Sequence, residues 1–144
     1  MIHGFDTSFL VAAEVEEHPE HAGVWRRLAL VREDGGRFGI TAPVIAEFVH
    51  VVTDARRFAK PLTMTAAIAK ARMWADAAEV ETFTAGDAVV TWFLDALARH
   101  RLGRKRILDT MLAATYRSVG VVSLLTLNDD DFAVFGEFAC FGVA

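Results

Sequence analysis

The sequence predicts a three-layer α/β/α fold around a central, mainly parallel sheet. Three observations carry that expectation. Short apolar runs alternate with longer segments of helical period, and parallel strands need the long crossovers that helices supply. Val121-Val122-Ser123-Leu124-Leu125-Thr126, β-branched or apolar at most positions, reads as a strand buried on both faces. Finally, 144 residues at 53% hydrophobic content provide for one real core, and no repeat, low-complexity tract or long linker divides them. Residues 1–144 are therefore expected to form one domain.

The elements follow in order. Met1-Ile2-His3-Gly4-Phe5 is a short apolar strand, after which Asp6-Thr7-Ser8 offers a helix cap ahead of Phe9, Leu10 and Val11. Pro19 suits the first turn of a second helix, with Val24, Leu28 and Val31 on its apolar side, until Gly35-Gly36 ends it. Phe38 to Thr41 is a strand. Thr41 and Pro43 then open a helix whose broad apolar face carries Val44, Ile45, Phe48, Val49 and Val52. A loop near Lys60-Pro61 leads to a helix from Thr65 to about Ala77 and a strand from Val80 to Phe83. Asp87 can cap a helix that includes Val90, Phe93, Leu94 and Leu97, and another runs from about Lys105 to Arg117, closed by Gly120. The strong Val121 to Thr126 strand follows, and Phe138 to Phe141 adds a last edge strand.

The formal charge of −4 is mild and excludes little. A single cysteine, Cys140, cannot make an internal disulfide, which fits a reducing compartment. Asp6 interrupts the stretch a signal peptide would need apolar, and no apolar run reaches about 18 residues. The expectation is a cytoplasmic chain with no membrane segment.

Candidate chemistry lies in the acids. Asp6 follows the first strand directly and Asp129-Asp130-Asp131 follow the strongest one, so both sit at carboxyl ends of strands, where open α/β sheets gather ligands. Glu47 and Asp109 fall near the starts of helices, which face the same rim. Each acid also has a plain structural reading as a cap, a solvated helix residue or a turn. Asp109 is the least easily explained that way, because it lies between Leu108 and Met111-Leu112, where an unpaired carboxylate is costly. Carboxylates brought together repel and call for a cation, and oxygen-only ligands favour magnesium, or manganese, over zinc. Such an ion binds phosphate oxygens and activates water for phosphodiester hydrolysis.

The strand ending in Asp6-Thr7-Ser8, Glu47 in an apolar helix, Leu108-Asp109-Thr110-Met111-Leu112-Ala113-Ala114-Thr115 and the late Leu124-Leu125-Thr126 together resemble the PIN-domain ribonuclease family, most closely its VapC-type toxins. The likeness spans nearly the whole chain. It implies an RNA endonuclease in which Asp6, Glu47 and Asp109 take the three principal acidic positions and Ser8 supports the first. Thr126-Leu127-Asn128-Asp129-Asp130-Asp131-Phe132 matches a Thr-x-Asn-x-x-Asp-Phe variant of the family's last motif, so Asn128 stands where a fourth acid is usual. The last metal-site position is open among Asn128, Asp129 and Asp131, with Asp131 read as the fourth catalytic acid. The toxin likeness also implies a cognate antitoxin protein, and a homodimer is expected.

Arg99, Arg101, Arg104, Lys105 and Arg106 crowd the segment just before Asp109 and suit the backbone of RNA. Arg106 suits equally well the task of neutralising the acids. Glu47 and His50 form a single Glu-x-x-His with no second copy, and the histidines and Cys140 lack zinc spacing. Two other functions compete: a non-catalytic RNA-binding module using the same basic segment, and a phosphatase with Asp6 as nucleophile, disfavoured because position 8 is Ser rather than Asp.

Overall fold

The computed structural model describes residues 1–144. Five strands, β1 (Ile2–Phe5), β2 (Arg37–Thr41), β3 (Val80–Phe83), β4 (Ser123–Leu125) and β5 (Ala139–Phe141), form one sheet in the order β3-β2-β1-β4-β5. Every neighbouring pair is parallel, so the expected mainly parallel sheet is wholly so. The connections are α1 (Thr7–Glu14), α2 (His21–Glu33), α3 (Ala42–Val52), α4 (Met64–Asp76), α5 (Ala88–Arg99), α6 (Ile107–Ser118) and the single turn α7 (Asp130–Ala133). None of these helices is long and apolar enough to cross a membrane.

The layers follow from the alternation of side chains along β1. Phe5 points to one face, where it stacks on Phe38 at 5.0 Å between ring centres and meets Trp74 of α4 edge-on at 5.2 Å. Gly4 faces the other side and lies directly under the ring of Tyr116 from α6. The Tyr116 hydroxyl donates to the carbonyls of Phe5 (2.7 Å) and Gly39 (3.2 Å), which ties α6 to both central strands. α1, α2, α3 and α4 pack with one another, and α5 packs with α6.

Strand order positions the site. From β1 the chain winds to β2 and β3 on one side, then returns to β4 and β5 on the other. That reversal lies between β1 and β4, and an open sheet has its natural crevice at the carboxyl ends there. Asp6 immediately follows β1 and Thr126 immediately follows β4. Local chemistry sharpens these ends: Asp6 caps α1 through Thr7 N, and the Thr41 hydroxyl caps α3 through Val44 N.

Several expected details change. Pro19 lies in the turn before α2 rather than in its first turn, because the helix begins at His21. Asp87 makes no side-chain cap; its own backbone is already helical, whereas a capping residue needs extended geometry. On α5 the inward stripe is Val89, Trp92, Phe93 and Ala96 and not the equally spaced Val90, Phe93, Leu94 and Leu97, so Val90 and Leu94 remain about half exposed. Both stripes have helical spacing, and only packing against α6 chooses between them. The strand expected over Val121 to Thr126 keeps ladder geometry only over Ser123–Leu125.

Candidate active site

Asp6 is nearly fully buried and held by three donors. Thr7 N reaches Oδ1 at 2.8 Å, while the hydroxyls of Ser8 (3.0 Å) and Thr126 (2.7 Å) both reach Oδ2. Ser8 and Thr126 are held in turn, since Leu127 N donates to Ser8 Oγ and Asn128 N to Thr126 Oγ1. The carboxylate therefore has one fixed orientation. Burial raises its pKa even though these hydrogen bonds pull the other way.

Glu47 and Asp109 line the same cleft as Asp6. Glu47 sits in the middle of α3 rather than near its beginning, so it reaches the rim from the side. Its pKa is raised by burial and then by the charge of Asp6, and partly offset by Arg57 and His50. Asp109, third residue of α6, is pushed up to about 7 by burial first, then by Asp6 and Asp131 and by a hydrogen bond with Asp131. Asp131 enters from α7, with Arg106 as its basic neighbour at 3.7 Å. Four carboxylates from four helix starts or faces thus share one crevice.

Two cavities flank the group. One of about 410 Å³, largely apolar, runs between α3 and α6 past Pro43, Val44, Leu108 and Met111. The other, about 440 Å³, is polar and includes Ser8, His18, Arg57 and Asn128. Asn128 therefore lies beside the acids, but Asp129 does not: it lines a separate cleft with Glu20 and Val143. Successive helical positions turn by about 100°, so residues two apart, such as Asp129 and Asp131, point in nearly opposite directions.

The donor set fits a hard divalent cation. It is all oxygen, and the pKa values of Asp6, Glu47 and Asp109 are raised first by burial and then by the neighbouring acids. No three of these side chains close on a point as direct ligands.

A pH dependence follows. Between its ordinary 3.8 and about 7, Asp109 is protonated in the folded chain and ionised in the unfolded one. The folded state then binds more protons, so stability falls as pH rises through this window and levels off above it. Without divalent ions, the melting temperature is expected to decline from about pH 4 to about pH 7, and Asp109→Asn to flatten that slope. A slope equally steep in Asp109→Asn would place the titration elsewhere.

The basic residues divide. Arg99, Arg101, Arg104 and Lys105 are exposed and pair with no acid, whereas Arg106 is half-buried against α7. Sequence reasoning gave no role to Thr126 or Thr7. Thr126 is the hydroxyl that fixes Asp6 across 120 positions of sequence, and Thr7 lines the same cleft as Glu47. The available signal for Thr126 was a hydroxyl at the end of the strongest strand.

Residues 5–137 match the PIN domain family. The chain is 28% identical over 134 residues to Ribonuclease VapC33 of Mycobacterium tuberculosis, covering 92% of this chain and 91% of that protein. Among solved structures it resembles VapC20 of M. tuberculosis, described as a Sarcin-Ricin loop cleaving toxin, with TM-score 0.74, 20% identity and coverage of 96% and 97%. It also resembles VapBC2 of Rickettsia felis bound to a DNA fragment from the promoter (TM-score 0.70, 15% identity, full coverage of both chains). A third match is VapBC-1 of nontypeable Haemophilus influenzae (TM-score 0.68, 14% identity, coverage of 99% and 98%).

Proposed function

The chain belongs to the PIN-domain family, and from that premise we propose that it is a magnesium- or manganese-dependent endoribonuclease, the toxin of a toxin–antitoxin pair acting on RNA in the cytoplasm. The observation that carries this reading is the meeting of Asp6, Glu47, Asp109 and Asp131 at the β1/β4 crevice. Asp6, Glu47 and Asp109 would hold the ion, not all of them directly but partly through its bound waters, with Asp131 and Asn128 beside them. When bound, the ion supplies an activated water and positive charge against the scissile phosphate. Ser8, Thr126 and Thr7 N keep the Asp6 carboxylate aimed, so that no reorientation is needed during reaction. Asp109 must give up its proton to serve as an anionic ligand, which makes ion binding stronger as pH rises.

The test is incubation of the purified chain with total RNA and magnesium or manganese, with chelator as control. Cleavage that stops on chelation supports the proposal. A non-catalytic RNA-binding module, favoured only by the exposed basic segment, would keep its affinity after chelation and leave the RNA intact.

Arg99, Arg101, Arg104 and Lys105 are assigned to the RNA backbone. Neutralising all four is expected to weaken binding of unrelated RNAs alike and to reduce the slope of log affinity against log salt by up to about 3. Ion affinity should be unchanged, and an unaltered salt slope would return the segment to plain solvated surface.

An antitoxin partner is supported by the VapBC neighbours and by the acidic cleft, which invites a basic side chain. Co-purification from the native cell tests it. A homodimer is also proposed, with Val90, Leu94 and Leu108 as exposed apolar residues available for it; sedimentation at several concentrations decides.

A further inference from the structure

Arg106 ends the short 3-10 turn before α6, three residues ahead of Asp109. Of the four carboxylates in the crevice, only Asp131 has a basic side chain within 4 Å, and that side chain is Arg106. The contact is one-sided. Arg106 Nε stands 3.7 Å from Asp131 Oδ1, while a terminal nitrogen donates to the Asp131 main-chain carbonyl instead of forming the second prong on the carboxylate. Moreover, Arg106 Nε is buried and has no hydrogen-bond partner. A buried donor without an acceptor is costly, so this arrangement has an unmet demand for an oxygen.

Building on the nuclease reading above, we propose that Arg106 is the crevice's internal counter-ion: it neutralises Asp131 in the ion-free chain, releases that carboxylate when a divalent cation enters beside Asp109, and then donates to a phosphate oxygen of the bound RNA. Two cations so close to the same acids repel, so the guanidinium and the ion compete. A phosphate supplies the acceptors that Asp131 does not, in the planar geometry that a guanidinium matches and an ammonium does not. The arrangement keeps the acids partly neutralised until ion and substrate are both present.

The two roles predict effects of opposite sign. Arg106→Gln removes the competing charge, so the purified chain without RNA should bind Mn²⁺ about fivefold tighter by calorimetry. The same variant should lose at least about tenfold in kcat on a short RNA. Arg106→Lys keeps the charge without the fork, and should bind Mn²⁺ as the parent does while still losing kcat. If Arg106→Gln melts early, Arg106→Met provides the same charge deletion with an apolar stem. Equal or weaker Mn²⁺ binding by a folded, uncharged variant overturns the counter-ion, and tighter binding with unchanged kcat overturns the phosphate role. A parent chain that leaves RNA intact removes the nuclease reading, whereas the Mn²⁺ comparison still decides whether Arg106 competes with the ion.

Discussion

Asp6→Asn is expected to reduce RNA cleavage at least about 100-fold, corresponding to a loss of about 3 kcal/mol of transition-state stabilisation. The amide preserves shape and can still accept from Thr7 N through its oxygen. It removes the charge that holds the ion, and the site has no spare buried carboxylate in the same orientation. Stability without ions is set by two opposing effects. Deleting one of several mutually repelling carboxylates is favourable, and it relieves the burial that raises the Asp6 pKa. Against this, Ser8 and Thr126 both donate to Oδ2, and an amide nitrogen there cannot accept from either. The balance is expected within about 1 kcal/mol of the parent. The stabilisation conferred by added magnesium should shrink, because the linkage to the folded state weakens. Thermal melts and cleavage on the same preparations, with and without magnesium, measure both. Parent-level, ion-dependent cleavage by the folded variant would remove Asp6 from the centre of the mechanism.

Gly4→Ala should produce the largest loss of stability from one methyl group. A Cβ at position 4 would stand 2.7–2.8 Å from three ring atoms of Tyr116, which is fully buried. The ring cannot swing aside without breaking its hydroxyl contacts to Phe5 and Gly39. Overpacking of this kind costs about 1–3 kcal/mol, and for a chain of this size the melting temperature should fall by roughly 3–10 °C. Phe5 directly precedes Asp6, so movement of Tyr116 disturbs the strand end that carries the carboxylate. Cleavage is therefore expected to fall as well, even at temperatures where the variant is folded. A melting temperature within about 1 °C of the parent would show that α6 can retreat from the sheet without cost.

The alternation of apolar runs with helical segments, readable from the residues alone, determined the α/β/α class and the order of the elements. It did so because strand and helix periods are local properties, written within a few residues of each other. Asp6 was legible for the same reason: it directly follows an apolar strand and precedes a helix, so its place at a strand end needs no knowledge of distant contacts. The motif around Thr126 narrowed the last acid to a few neighbours but could not choose among them. The rotation of a one-turn helix, which spacing does not fix, puts Asp131 toward Asp109 and Asp129 into another cleft. The inward face of α5 was equally undetermined, since Val89 and Val90 begin two stripes of identical spacing and only the neighbouring helix selects one. Tertiary structure alone decided which hydroxyl fixes Asp6, that Tyr116 bridges two strands over a glycine, and that Arg106 turns toward Asp131 rather than solvent. Each of these joins positions far apart in the chain, or depends on a side-chain direction that several backbone arrangements would satisfy. Sequence spacing specifies which residues share an element; the pKa of Asp109 arises from burial first and then from neighbouring acids, and the pairing of Arg106 from a contact, that only the folded crevice provides.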